Sequence, residues 1–155
     1  MSVDAVREHL GRFGVADRIQ LLGSSTATVQ EAADAIGCGP AEIAKSIAFD
    51  VDGAAILVVA SGDTRIDNAR FKAQFGTKPK MMPPREMPTR VGHDVGGVSP
   101  FGVPSEVQIF LAESLRRFET VWPAAGSDNA VVWVMVEELE EFCNTHAWVS
   151  VTKTA

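Results

Sequence analysis

The chain has 155 residues, 46% hydrophobic and 22% charged, the balance of one globular domain over residues 1–155, and it is too apolar to stay disordered for want of a core. Its longest apolar run, Ala54 to Ala60, is far short of the roughly 20 residues a bilayer-spanning helix needs, and the opening MSVDAVREHL lacks a signal-peptide core, so a cytoplasmic location with no membrane partner is expected. The net charge of −6 argues against a duplex-binding protein, yet residues 65–90 hold Arg65, Arg70, Lys72, Lys78, Lys80, Arg85 and Arg90 against only Asp67 and Glu86, a cationic tract suited to a short or single-stranded nucleic-acid end.

In chain order, Val3, Val6, Leu10 and Phe13 recur at helical spacing behind Ser2, a candidate N-cap, and Gly14 can end that helix. Ile19 to Leu22 reads as a short strand. Thr28 followed by Glu31 is a capping-box pattern, with Ala32, Ala33 and Ile36 on the apolar side and Gly37 as the stop. Pro40 opens a predicted short helix to about Lys45. From Ser46 the period becomes twofold, and Asp52-Gly53 is a type I′ hairpin signal leading into AAILVVA, apolar on both faces and therefore central in its sheet. A helix is predicted from about Asp67 to Phe75, ending at Gly76. Pro79, Pro83, Pro84 and Pro88 confine helix in 77–90 to short turns such as one around Arg85. Strands at Val107–Leu111 and Ala130–Val136 and a helix at Glu137–Asn144 complete an α+β chain, whose hairpin rules out a purely parallel sheet.

Chemistry concentrates in few places. Gly96-Gly97-Val98-Ser99-Pro100-Phe101-Gly102 combines adjacent glycines with a proline that fixes the exit of the turn. Such a loop is either a tight structural turn or a set of N–H groups aimed at an oxyanion or phosphate oxygen. Lys45, between the predicted helix and the strand, either snorkels to water or presents its ammonium at a pocket rim. His9, His93 and His146 have no metal-ligand spacing with Cys38, Cys143 or the carboxylates, so no metal and no cofactor are expected. Ser61 and Ser99 lack a nucleophile elbow, and neither a G-x-G-x-x-G nor a P-loop pattern occurs. A competing motif, TVQEAADAIGCGPAEIAKSI over 28–47, has the outline of a helix-turn-helix, but its recognition helix would offer Lys45 as its only cation.

The succession TVQEAADAIG, AEIAKSIAF, AILVVASGD, VGHDVGGVSPFG and PAAGSDNAV resembles the YbaK/ProX family of aminoacyl-tRNA deacylases, related to the editing insertion domain of bacterial prolyl-tRNA synthetases. The resemblance implies an α+β fold, a mixed central sheet flanked by helices around an open pocket. The implied activity is trans-editing: hydrolysis of the ester joining a wrong amino acid to the 3′ adenosine of tRNA, most often tRNA for proline. It makes Lys45 the functional lysine and matches Gly96 to Pro100 to the family's G-x-x-x-P loop. On that basis Lys45 holds the terminal phosphate or ribose, and amides around Gly96, Gly97 and Val98 stabilise the oxyanion. A ribose hydroxyl or backbone carbonyl activates the water. His93, Ser99, Pro100, Phe101, Gly126 and Ser127 are candidates to bind substrate, and Arg65, Arg70, Lys72, Lys78 and Lys80 to meet the tRNA acceptor end, with prolyl-tRNA synthetase as a further partner. Two positions depart from the family pattern: Val91 stands where a threonine is common, and Ala112 where an aspartate is. The first loses a hydroxyl beside the loop, and the second loses a carboxylate that could orient substrate. The alternatives from other classes are a catalytically silent aminoacyl-tRNA binding module and the helix-turn-helix regulator.

Overall fold

The structure is a computed structural model and describes residues 2–155. Helix α1 (Ser2–Gly11) precedes β1 (Ile19–Leu21), α2 (Val29–Ile36), β2 (Ile43–Val51), β3 (Ala54–Ser61), β4 (Thr64–Ile66) and α3 (Asn68–Phe75). There follow α4 (Met87–Arg90), β5 (Gln108–Ala112), β6 (Thr120–Pro123), β7 (Ala130–Val132), β8 (Val134–Met135), α5 (Leu139–Cys143), β9 (Ala147–Val149) and β10 (Thr152–Thr154). Six strands form one mixed sheet in the order β8-β6-β2-β3-β5-β9, and β1 with β7 and β4 with β10 form two antiparallel pairs beside it. This is the α+β mixed sheet that the sequence implies.

The β2–β3 hairpin anchors the sheet. Asp52 (φ 51°) and Gly53 (φ 87°) both take the positive φ that a type I′ turn demands, and the pairing runs unbroken from Val51↔Ala54 to Ala44↔Ser61. On its other side β3 pairs in parallel with β5, so AAILVVA is central as its composition predicts. Alternation then divides the core. Ala44, Ala48, Leu57 and Val59 face a large cluster with Val6 and Leu10 of α1 and Leu139 and Phe142 of α5. Phe49, Ile56, Val58 and Phe110 face Phe71 of α3 on the opposite side, where Phe71 lies 4.8 Å from Phe49 and 4.6 Å from Phe75, ring centre to ring centre. Thr28 caps α2 by accepting from the Glu31 N–H at 3.1 Å, and Gly37 ends it at φ 85°.

Four expectations are corrected. The helix from Pro40 to Lys45 is only a 3-10 turn, Pro40–Glu42, with the strand already begun at Ile43. Ile43 pairs with Trp122 of β6 and Ala44 with both Pro123 and Ser61, so sheet pairing on two sides overrides the helical preference of AEIAK. This also removes the helix-turn-helix, because the would-be recognition helix is β2. The strand Ala130–Val136 is split at Trp133, β7 going to β1 and β8 to β6. The helix at 137–144 is a 3-10 turn, Val136–Glu138, followed by α5, which ends on Asn144 in the left-handed region. Ser2 lies inside α1 rather than capping it.

Candidate active site

The site lies where the sheet opens. The ladder between β2 and β6 covers only Ile43 and Ala44. Further along the same edge, the Met82 N–H donates to the Ala48 carbonyl and the Asp50 N–H to the Lys80 carbonyl. Alternate residues of a strand share an edge, so Ser46 presents its own N–H and C=O to the gap between these two attachments. A cavity of about 240 Å³ fills the gap. Its walls come from β2, from Thr26 to Val29 before and within α2, from Met81 and Met87, from Trp122 and from the Gly96–Val98 loop.

Lys45 stands on β2 in the wall of this cavity. Its ammonium donates to the Thr64 carbonyl. Burial pushes its pKa below the usual lysine value, and the charge of Asp63 partly opposes this. Asp63 is itself clamped by Arg117, whose two terminal nitrogens donate to its carboxylate at 3.0 and 2.6 Å, and this guanidinium holds the carboxyl below its ordinary range. The carboxylate nearest in sequence to the Thr64 anchor thus pairs with Arg117 while still acting through its charge on Lys45.

The glycine loop reaches the cavity through Gly96 and Val98. Gly96 has φ 94°, which excludes ordinary side chains. Among the described residues the amides of Gly96 and Val98 have no partner, whereas the Gly97 N–H donates to the Asp94 carbonyl at 3.1 Å. Gly97 therefore contributes spacing and not a free donor: a Cβ there would sit 2.6 Å from the Ser127 nitrogen. The remaining substrate-binding candidates stand behind the loop. His93 is 1% exposed; its Nε2–H donates to the Phe101 carbonyl at 2.7 Å and its Nδ1 meets the Ser2 hydroxyl. Ser99 accepts from the Phe101 N–H at 3.2 Å, and Ser99, Pro100 and Phe101 are all buried. Gly126 abuts the Ser2 backbone, and the Ser127 hydroxyl bonds Asn129. His9 completes the support, accepting from the Gly102 N–H at 3.1 Å through Nδ1 and donating from Nε2 to the Phe142 carbonyl at 2.6 Å. None of His93, Ser99, Pro100, Phe101, Gly126 or Ser127 borders the cavity.

Sequence reasoning missed two wall residues with a chemical signature. The hydroxyls of Thr26 and Ser46 are buried without any hydrogen-bond partner, and both residues line the cavity. Buried polar atoms are rarely left so. The polar run Ser24 to Thr28 was the only trace of the first, and strand alternation gave no trace of the second. The two departures from the family pattern touch neither wall: Val91 and Ala112 are both fully buried in apolar clusters.

The cationic tract divides. Arg65, Lys72 and Lys78 border a second cavity of about 680 Å³, together with Lys45. Arg70 instead donates to the Thr152 carbonyl at 3.0 Å, Lys80 lies outside the cavity, and Arg90 is paired with Asp50 and Glu86 at 2.7 and 3.2 Å. Among the described residues no group of three or more His, Cys, Asp or Glu could hold a metal, and no helix is long and apolar enough to cross a membrane. Cys38 and Cys143 are free thiols.

Over 154 residues the chain is 40% identical to the uncharacterized protein YwhH of Bacillus subtilis (strain 168), covering 99% of this chain and 98% of that one. Over 103 residues, 66% of this chain but only 18% of the other, it is 29% identical to the proline--tRNA ligase of Staphylococcus aureus (strain Newman). A crystal structure described as that of a candidate trans-editing enzyme for prolyl tRNA synthetase superposes with a TM-score of 0.88 at 27% identity, covering 98% of this chain and 97% of that one. The model of the aminoacyl-tRNA editing domain matches residues 24–142, and the chain belongs to that family.

Proposed function

We propose that the protein is a cytoplasmic trans-editing hydrolase that cleaves the ester of a mischarged aminoacyl-tRNA to free amino acid and tRNA. The observation that carries this reading is that Lys45 lines the same cavity as Gly96 and Val98, whose amides have no partner among the described residues. In the proposed reaction water attacks the ester carbonyl carbon. The carbonyl oxygen becomes an oxyanion that the two amides stabilise, and the bond to the ribose oxygen then breaks with that oxygen taking up the proton. An aminoacyl ester is already activated, so orientation and charge stabilisation supply most of what the step needs. Lys45 holds the terminal phosphate or ribose, and the attacking water is oriented by donating a hydrogen bond to a ribose hydroxyl or to a backbone carbonyl, its proton passing to the departing ribose oxygen. The Ser46 carbonyl, on the open edge of β2, is our candidate for the latter role.

The similarity to proline--tRNA ligases and to a candidate trans-editing enzyme for prolyl tRNA synthetase supports tRNA for proline as the carrier and the synthetase as a partner. The acceptor end would approach over the cationic tract. Steady-state release of amino acid from a panel of mischarged tRNAs tests the proposal. Multiple turnover on at least one member is expected; stoichiometric binding without release across the panel would instead establish a silent binding module.

A further inference from the structure

The second cavity lies beside the first, and the two share Lys45, Ile47 and Met81 in their walls. Its volume of about 680 Å³ is within the range of small-ligand sites. The charge around it is one-sided: Lys45, Arg65, Lys72 and Lys78 border it and no carboxylate does. Arg65, Lys72 and Lys78 are exposed and make no ion pair or side-chain hydrogen bond among the described residues. Elsewhere in the tract Arg70 and Arg90 are tied to acceptors. The rest of the wall is apolar apart from Asn68, with Phe49, Ile66, Pro79 and Met81, and Met81 is 64% exposed at the shared rim. Unpaired cations beside apolar side chains match a nucleotide, whose base needs a face to lie on and whose phosphate needs positive charge.

We propose that this second cavity is a nucleotide subsite for the single-stranded 3′ end of the RNA, with a base against Pro79 and Met81 and phosphate on Arg65, Lys72 and Lys78. The inference rests on reading the first cavity as the hydrolytic one, for the shared rim then lets one RNA strand pass from the ester to its neighbouring nucleotide. It narrows the five expected tRNA-binding side chains to three and leaves Arg70 and Lys80 out of the contact.

The test is equilibrium binding of the oligoribonucleotide ACCA, fluorescently labelled at its 5′ end, across a range of salt concentrations. Lys72→Glu/Lys78→Glu is compared with Lys80→Glu/Arg85→Glu, which makes the same charge change in the same tract at residues that do not line the cavity. The first pair is expected to lose at least tenfold in affinity and to flatten the log–log salt slope by about 1.4, at roughly 0.7 per cation lost. The second is expected to stay within threefold of the parent. Met81→Ser is expected to weaken binding severalfold with the slope unchanged. Equal losses in the two charge-reversed pairs, or no loss in the first, would overturn the inference. ACCA carries no ester, so its binding reads the subsite independently of catalysis; failure of deacylation with the subsite intact would count against the proposed reaction alone.

Discussion

Replacing Gly97 with alanine separates the geometry of the loop from its chemistry. The new Cβ would lie 2.6, 2.7 and 2.8 Å from the N, Cα and C atoms of Ser127. All three are backbone atoms of a turn in which Gly126 is already pressed against the start of α1, its own added Cβ falling 2.7 Å from Ser2 atoms. Ordinary contact begins near 3.4 Å, so the loop must retreat by about 0.8 Å. Overpacking of this kind costs about 1–3 kcal/mol, which for a domain of this size lowers Tm by roughly 2–12 °C. The same displacement moves the flanking Gly96 and Val98 amides away from the oxyanion, and a misplacement near 1 Å can cost about 100-fold in rate. Differential scanning calorimetry and single-turnover deacylation of a mischarged tRNA measure the two effects. Both losses are expected together at a temperature where the variant is still folded. Unchanged Tm and unchanged rate would refute the close approach, and a lower Tm with full rate would refute the role of the loop in stabilising charge.

Three further outcomes follow from the same geometry. Thr26→Val and Ser46→Ala each remove a buried hydroxyl that has no partner and should stabilise the free protein by about 1 kcal/mol, whereas a loss of that size in denaturant unfolding would reveal a hidden hydrogen bond. The discrimination between serine- and alanine-charged tRNA should change in the same variants, read as the ratio of their kcat/KM values, if those hydroxyls serve a substrate group. Burial holds the His93 imidazole below its ordinary value of 6.5, so the unfolded chain takes up the proton first as pH falls. The stability contributed by the neutral ring is complete above about pH 6.5 and is lost progressively below it. His93→Gln keeps one N–H for the Phe101 carbonyl but cannot titrate, and it should show a shallower acid loss in urea midpoints between pH 7 and 5; an identical slope would contradict the assignment.

Legibility of the fold in the sequence followed the range of the interactions. Thr28, Gly37, Asp52-Gly53 and Gly76 act on their own turns, and each sits where local chemistry placed it. The stretch from Pro40 to Lys45 was misread because its partners, Trp122 and Ser61, are distant in the chain and outweigh local propensity. Residues 130–136 were likewise read as one strand, although Trp133 divides partners that no periodicity could distinguish. In the site, Lys45 and the glycine loop were legible as chemistry, while the side that each neighbour faces was not. His93 looked like a substrate ligand because histidine beside a glycine loop suggests chemistry, yet it supports that loop from behind. Thr26 and Ser46 carried no motif, and only the three-dimensional absence of a partner singles them out.

In the proposed reaction Lys45 and the Gly96 and Val98 amides act on one ester in one cavity. The measurement that tests it most directly is the single-turnover rate of amino-acid release from mischarged tRNA for prolines' carrier, with enzyme in excess, comparing the parent with Lys45→Ala. A loss of about 10²- to 10³-fold is expected, with the unfolding midpoint showing that the variant is still folded. A folded Lys45→Ala protein that releases amino acid at the parent rate would contradict the account.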